Sequence, residues 1–288
     1  VGLFSVAAQV LIPLATMTVQ PEKTGEVVGF LMSGLLVGIL LSTSLAGLFS
    51  NLFHWKVIYV VSGVLMLILA YALKSRLPYV MRMKMNYGQI FVSMAVLLMQ
   101  EKRLLLRALA GGFAFAAVSI LYSTIALLLS SAHHLPDLMI GMVSLVGIFG
   151  ALSTQYIGRY ADQGYTRQLT WMGCALFIIS WICFYYGQTI LISYIVGFAL
   201  IQLALALVHT SNQSIIFRLR PDAKSRINAI YMTAYFIGGA CGSALGIFAW
   251  NHGGWSMTCL AGVCLVLACM LFSLLDNLLI TDVTQQPF

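Results

Sequence analysis

The chain consists of long apolar stretches that are separated by short polar turns. About 20 apolar residues in a helix cross a hydrocarbon core about 30 Å thick, and most of these stretches reach that length. They lack the strict alternation of apolar and polar residues that marks a membrane-spanning β-strand. The pattern therefore predicts nine transmembrane helices, at residues 1–19, 27–50, 56–74, 104–131, 137–157, 169–187, 189–210, 227–249 and 255–275.

One further apolar segment, residues 86–100, is short and has Lys and Arg residues on both sides. We expect it to form a helix that lies on the cytoplasmic surface of the membrane rather than crossing it. This segment divides the chain into three predicted parts. They are the second half of an N-terminal bundle at 1–75, a cytoplasmic linker at 76–103, and a six-helix C-terminal bundle with a short tail at 104–288.

The composition agrees with a membrane location. Hydrophobic residues make up 61% of the chain and charged residues only 8%, whereas soluble domains carry roughly 25% charged residues. So few charges could not cover a surface that faces water. The chain is therefore predicted to be an all-α polytopic membrane protein.

The distribution of positive charge predicts the orientation of the helices, because Lys and Arg concentrate on the cytoplasmic side of membrane proteins. If residue 1 lies outside, Lys56 is the only one of the 15 Lys and Arg residues that lies outside with it. This orientation places the C-terminus in the cytoplasm, with the helices in the inner (plasma) membrane. It also explains the net charge of +7, so no nucleic-acid partner is expected.

Side chains that could carry out chemistry are sparse along the predicted helices. The six cysteines lie in apolar stretches without the spacing of metal ligands, and neither an HExxH nor a GxSxG pattern occurs. We therefore expect no metal, no cofactor and no enzymatic activity. Arg107 and Asp276 lie near predicted cytoplasmic helix ends, and the middles of the predicted helices carry no Asp, Glu, Lys or Arg.

Polar and aromatic side chains on the predicted helices give a candidate binding site for a solute. Gln9 and Gln202 each lie about halfway along a helix, and these two helices correspond in a weak internal repeat. Tyr122, Tyr235 and Phe115 lie on helices that could line a cavity. We interpret these five residues as substrate-binding. The alternative is that they only bond and pack helices together.

Glycines recur at every fourth position in two of the predicted helices, and this spacing places them on one face of each helix. They are Gly34 and Gly38 in one helix, and Gly238, Gly242 and Gly246 in the other. Such faces allow two helix backbones to approach closely. We expect tight helix packing at both, and the corresponding positions of the two faces suggest that two bundles close against one another there.

A short charged segment, "GRYADQG" at residues 158–164, lies between the fifth and sixth predicted helices. Its glycines permit a tight turn. Asp162 can accept hydrogen bonds from the N-terminus of a nearby helix, whose dipole favours a negative charge. The simpler alternative is a turn that carries the positive charge usual for a cytoplasmic loop.

With these segments in view, the chain resembles transporters of the major facilitator superfamily, and within it the drug/proton antiporters and arabinose-efflux-permease-like members. Gly158, Asp162 and Gly164 match the second-half copy of the family's G-x-x-x-D loop, with Gln163 where Arg is common. The stretch "PDAKSRINAIYMTAYFIGGACGSALG" is similar to the family's eleventh helix. The resemblance covers the chain as helices four to twelve of a twelve-helix fold, so three helices are expected to precede residue 1.

The resemblance implies that two six-helix bundles rock about a binding site at the middle of the membrane, so that the site opens alternately to each side. It further implies a cytoplasmic latch, in which Asp162 lies near the N-terminus of the helix at 27–50. The residues assigned to this latch are Gly158, Arg159, Asp162, Gly164 and Arg226.

The function implied is export of a small organic solute, with protons as a possible coupling ion and membrane lipid as a partner. The alternative is a membrane sensor that does not transport, or an inactive truncated transporter.

Overall fold

The computed structural model describes residues 10–16, 19–20, 23–52, 56–74 and 86–284 of the 288-residue chain. Gln9 lies outside the described residues, and its assignment to a binding site stays a prediction. The described part is helical throughout apart from its turns, and no β-strand occurs in these ranges. This confirms the all-α fold predicted from the hydrophobic pattern.

Nine labelled helices follow a short helical segment at residues 10–16. Their bounds are α1 Thr24–Leu52, α2 Val57–Lys74, α3 Tyr87–Gln100, α4 Lys102–His133, α5 Asp137–Leu145, α6 Ile148–Asp162, α7 Thr166–Tyr186, α8 Leu191–Leu219 and α9 Lys224–Thr284. A single 3₁₀ turn, Pro221–Ala223, connects α8 to α9.

Six helical stretches of the described chain are long and apolar enough to span a membrane, namely α2, α4, Met139–Asp162, α7, α8 and Lys224–Leu279. The chain is therefore a polytopic membrane protein, as predicted. The last stretch has 56 residues and would measure about 84 Å as one straight helix, which is far more than one crossing needs.

Helix α9 is in fact two arms that meet at Gly253 and Gly254, where the backbone leaves the helical conformation. Gly254 has φ 62° and ψ −152°, a combination that is open almost only to glycine. The break corresponds to the predicted turn between the helices at 227–249 and 255–275.

The two arms of α9 run in opposite directions along α4. In the first arm Gly238 lies against Gly112 and Gly242 against Ala116, so the residue numbers rise together. In the second arm Phe272 stacks on Phe113 with a ring-centroid distance of 5.4 Å, and Asp276 pairs with Arg107. The residue numbers of the second arm therefore rise as those of α4 fall. The chain therefore reverses at the two glycines, and both ends of α9 lie beside the start of α4.

The predicted helix at 137–157 is interrupted, because α5 ends at Leu145 and α6 begins at Ile148. The interruption contains Gly147, and a Cβ on this residue would lie 2.8 Å from Cγ of Gln202. Only glycine fits this space, and glycine is a weak helix former. Val146 and Gly147 keep helical backbone angles, and Met139–Asp162 remains one stretch long enough to span a membrane, so the predicted spanning segment is retained with a local irregularity.

Most of the helix packing among the described residues is made by a few pairs of helices. Helix α4 packs along both arms of α9, α7 packs along α8, and α1 lies along α6 with further contacts to α5 and α8. Helix α2 buries none of its residues, as expected of a helix that faces lipid. Helix α3 buries Leu97 and exposes Phe91 and Met99, a two-sided pattern that suits a surface helix.

The glycines at 238, 242 and 246 pack against α4, where an added Cβ would overlap or crowd α4 atoms. This is the tight contact that their spacing predicts. However, α4 and α9 both belong to the predicted C-terminal bundle, so this glycine face does not lie between the two bundles.

Gly34 and Gly38 do not make the predicted contact within the described part of the chain, because no atom lies within 4 Å of an added Cβ at either residue. The close contacts of α1 are made instead by Gly25 and Gly29, which meet α6. Five residues separate Gly29 from Gly34, which turns the second pair by about 140° around the helix axis. That rotation directs Gly34 and Gly38 away from α6.

Candidate functional site

Asp162, the last residue of α6, holds the first turn of α1. Its Oδ1 accepts a hydrogen bond from the backbone N–H of Gly25, and its Oδ2 accepts one from that of Glu26, both at 2.8 Å. The first N–H groups of a helix have no partner within the helix, and the helix dipole makes this end positive. The structure therefore places Asp162 where the sequence predicted it, at the N-terminus of the helix at 27–50.

The carboxylate reaches these groups because α1 and α6 touch through their backbones. A Cβ on Gly25 would lie 2.6 Å from the carbonyl oxygen of Gly158, and a Cβ on Gly29 would overlap the carbonyl of Thr154. Gly158 therefore serves close packing inside α6 and does not form a turn as its motif suggested. The turn belongs to Gly164, whose φ is 93°.

Two ion pairs surround this contact. Arg218, in the last turn of α8, places Nη2 2.6 Å from Oδ1 of Asp162. Arg159 places Nη2 2.9 Å from Oε1 of Glu26. Both arginines are exposed, so each pair stabilises the contact by only about 0–1 kcal/mol. Together with the two backbone bonds, they join α1 to α6 and α8.

Arg226, which the sequence assigned to the latch, lies elsewhere. It lines a cavity of about 620 Å³ beside α3, together with Arg220, while Arg218 occupies the position next to Asp162. Arg220 forms a hydrogen bond of 2.8 Å with Glu101, and this bond, with the charge of Glu101, raises the pKa of Arg220. Arg218 and Arg220, which are near Arg226 in the sequence, therefore bond the end of α8 to Asp162 and to Glu101 of the linker.

A second contact joins the start of α9 to the first helical segment. Nζ of the buried Lys224 donates a hydrogen bond of 2.9 Å to the carbonyl oxygen of Thr16. Thr16 is the last residue of the segment described as helical at 10–16. A positive charge is favourable at the C-terminal end of a helix. Lys224 is not among the site residues predicted from the sequence.

A buried ionic cluster crosses the predicted C-terminal bundle near the start of α4 and the end of α9. Arg107 places Nη2 2.6 Å from Oδ2 of Asp276, and its Nη1 donates to Asn212 at 3.1 Å and to Thr170 at 3.3 Å. Arg103 also pairs with Asp276, at 3.0 Å. The cluster joins α4, α7, α8 and the second arm of α9. It is a structural clamp, since both charges of the central pair are satisfied.

Two of the predicted binding residues contact each other. Nε2 of Gln202 on α8 lies 2.9 Å from the hydroxyl of Tyr122 on α4. Gln202 is only 5% exposed, whereas Tyr122 is 36% exposed. The Tyr122 ring meets the ring of Phe198 edge-on, with centroids 6.3 Å apart. Gln202 also lies against Gly147, at the interruption between α5 and α6.

The other two described candidates form a separate aromatic cluster. The rings of Phe115 and Tyr235 stack with centroids 4.1 Å apart and an angle of 12°. Tyr235 also contacts the ring of His209 at 4.6 Å, and Nδ1 of His209 lies 3.0 Å from the hydroxyl of Tyr231. Phe115 is seven residues from Tyr122 on α4, so the two clusters are about 10 Å apart along the helix.

The described residues contain no group of three or more His, Cys, Asp or Glu side chains that could hold a metal ion. The groups that could contact a solute are amides, hydroxyls and aromatic rings.

The comparison with known proteins identifies the family. The residue pattern of the Major Facilitator Superfamily matches residues 107–282. The chain is also 42% identical over 272 residues to the putative uncharacterized transporter YgaY of Escherichia coli (strain K12), a match that covers 94% of this chain and 69% of that relative. The chain belongs to the major facilitator superfamily.

More distant relatives of this major facilitator chain carry similar names. The probable transporter SCO4007 of Streptomyces coelicolor is 27% identical over 269 residues, covering 91% of this chain and 62% of the relative. The uncharacterized MFS-type transporter YybF of Bacillus subtilis is 22% identical over 241 residues, covering 82% and 59%. The resemblance to the superfamily that the sequence motifs predicted is thus confirmed.

Proposed function

We propose that this major facilitator chain carries out secondary active transport by alternating access, exporting a small organic solute across the inner membrane with protons as the coupling ion. Residues 1–75 and 104–288 belong to the two bundles, and the linker at 76–103 joins them. Membership of a transporter family and the transporter names of three relatives support this proposal. Export and proton coupling follow from the resemblance to drug/proton antiporters.

The contact of Asp162 with the first turn of α1 is the observation that carries the proposal. It joins a helix of the proposed N-terminal bundle to two helices of the proposed C-terminal bundle. A contact of this kind, at the proposed cytoplasmic ends, stabilises the state in which that side is closed. We therefore assign the latch to Asp162, Gly158 and Arg159, with Arg218 in place of Arg226.

The free energy of the Asp162 hydrogen bonds is suitable for a contact that forms and breaks during a transport cycle. A hydrogen bond to a charged group contributes about 1.5–3 kcal/mol, so the two bonds of Asp162 contribute a few kcal/mol. Two conformations that exchange in a functional cycle differ by a similar amount. The latch can hold the closed state and still be released when a solute or an ion binds.

The proposed solute site contains Gln202, Tyr122, Phe115 and Tyr235, with Gln9 as the counterpart from the other bundle. The amide and hydroxyl groups would orient the solute, and the aromatic rings would cover its apolar surface. These side chains lie on α4, α8 and α9, which are the helices that the Asp162 contact and the ionic cluster hold in place.

The latch is tested with Asp162→Asn, which keeps the shape of the side chain and removes its charge. Cytoplasmic opening is followed by a Ser214→Cys reporter, in a variant without the six native cysteines, because Ser214 is fully buried on α8. We expect at least threefold faster labelling by an impermeant maleimide from the cytoplasmic face. Asp222→Asn, which removes an exposed acid in the 3₁₀ turn before α9, is the matched control. Unchanged labelling and transport in Asp162→Asn would remove the latch.

Transport itself is tested with the full-length protein in proteoliposomes. A pH-sensitive dye inside the vesicles reports proton movement when solutes are added against an imposed pH gradient. Solute-driven proton flux that is absent from empty vesicles is the expected result. Solute flux without proton movement would support transport and contradict proton coupling. Absence of both solute flux and proton movement across a broad solute panel would contradict the proposed function.

A further inference from the structure

Two buried polar atoms on one face of α8 lack a hydrogen-bond partner. Tyr194, Phe198 and Gln202 follow one another at intervals of four residues, so they lie on the same side of the helix, and all three are buried. The hydroxyl of Tyr194 and Oε1 of Gln202 have no partner among the described residues. Buried polar atoms are nearly always bonded, so these two atoms require an explanation.

Tyr122 completes this face from α4. Because its oxygen accepts a hydrogen bond from Nε2 of Gln202, its own proton remains available to another acceptor. If the amide of Gln202 has the opposite orientation, Tyr122 donates to Oε1 and Nε2 is left with free protons. In either orientation, the pair offers at least one donor and one acceptor next to each other.

No charged side chain is available to this face from its own two helices. The sequence contains no Asp, Glu, Lys or Arg in residues 108–132 or 191–217. The nearest charge on α4 is Arg107, about 22 Å along the helix from Tyr122, and it is already paired with Asp276. A charged group placed beside Gln202 would therefore find no counter-charge on α4 or α8, which is unfavourable for a buried charge.

Aromatic rings form the rest of the surroundings. Phe198 lies edge-on to Tyr122, and Tyr194 lies between the rings of Phe184 and Trp255, at centroid distances of 5.1 Å and 6.1 Å. Such rings favour a planar or apolar part of a solute. The donor and acceptor pair favours a neutral polar group attached to it.

We propose that Gln202, Tyr122 and Tyr194 select an uncharged solute that carries a hydroxyl or carboxamide group on a planar or apolar body. Gln202 and Tyr122 bind the polar group through one donor and one acceptor. Tyr194 is a further contact, on the same face of α8. This inference rests on the proposed transport function, and deepens it by naming the chemical class of the solute.

Three probes of one shape and different charge test the selection. They are nicotinamide, which is neutral, nicotinate, which is an anion, and 1-methylnicotinamide, which is a cation and keeps the carboxamide. Binding is measured by equilibrium dialysis with the full chain in lipid nanodiscs. We expect half-saturation by nicotinamide at a concentration at least tenfold lower than for either charged probe.

Five variants test the residues. Gln202→Leu and Tyr122→Phe should each weaken nicotinamide binding at least fivefold, and Tyr194→Phe at least twofold. Tyr185→Phe, which removes the hydroxyl of an exposed tyrosine on α7, is the control and should bind like the unmodified chain. Because Gln202→Leu could also disturb folding, Gln202→Glu is a second test, and it should bind 1-methylnicotinamide more tightly than nicotinamide.

The outcomes distinguish a failure of the proposed solute class from a failure of the proposed transport function. Equal or tighter binding of a charged probe to the unmodified chain, or no saturable binding of nicotinamide, would overturn the inference. Transport of a charged solute would overturn it as well, while leaving the transport function in place. Nicotinamide binding without any solute flux would support the inference and contradict the transport function.

Discussion

The contact between α1 and α6 makes a quantitative prediction for Gly25→Ala. The new Cβ would lie 2.6 Å from the carbonyl oxygen of Gly158 and 2.7 Å from Oδ1 of Asp162, whereas ordinary contacts begin at 3.4 Å. The helices must therefore separate by about 0.8 Å at this point. The two hydrogen bonds of Asp162, now 2.8 Å long, would stretch to about 3.6 Å, beyond the range of a hydrogen bond.

The free energy lost with both hydrogen bonds gives the expected change in the ratio of open to closed molecules. At about 1.5–3 kcal/mol for each bond to a charged group, the closed state loses at least about 3 kcal/mol relative to the open state. Since 1.4 kcal/mol corresponds to a tenfold change, the ratio of open to closed molecules should rise by about 100-fold or more.

The Ser214→Cys reporter measures this change as a faster rate of maleimide labelling from the proposed cytoplasmic face. Gly34→Ala is the matched control, because it lies on the same helix, gains the same helix propensity and meets no atom within 4 Å. Labelling that rises equally in both variants, or in neither, would refute the steric reasoning.

Three further predictions follow from the ionic contacts. Asp276→Asn or Arg107→Met should each lower the free energy of unfolding by about 3–5 kcal/mol, because a buried charge loses its partner; the double variant should lose less than the sum in a detergent unfolding series. Lys224→Met should speed labelling of the buried cysteine reporter at least threefold, and equal labelling would exclude a role in closure. Arg159→Gln should change stability by less than about 1 kcal/mol, an effect that 0.5 M salt removes if the exposed pair with Glu26 causes it.

The parts of the structure that could be predicted from the sequence depend on interactions within one helix or at one helix end. Apolar length predicted the helices, and an acid beside a turn indicated that Asp162 could bond a nearby helix N-terminus. The family resemblance implied that this helix is the one at 27–50. The first two inferences depend on forces that act over one element or one helix end. They did not require knowledge of which helices are neighbours.

Predictions that needed the neighbours were less successful. Arg218 and Arg226 lie at similar distances from a helix end in the sequence, and only the packing of α8 against α1 and α6 places Arg218 at Asp162. Gly34 and Gly38 have the same four-residue spacing as Gly25 and Gly29. Spacing defines a face of a helix but not what that face meets, so the two pairs could not be distinguished before the fold was known.

The interruption of α5 and α6 has a mechanical consequence. Gly147 and Gly150 pack directly against Gln202, so a displacement of that side chain toward them must be taken up by the start of α6. Asp162 lies at the other end of the same helix, about 22 Å away. In the proposed transport cycle, a small tilt of α6 at the Gln202 end would become a larger sideways movement at the Asp162 end, and would connect solute binding to the hydrogen bonds that hold α1.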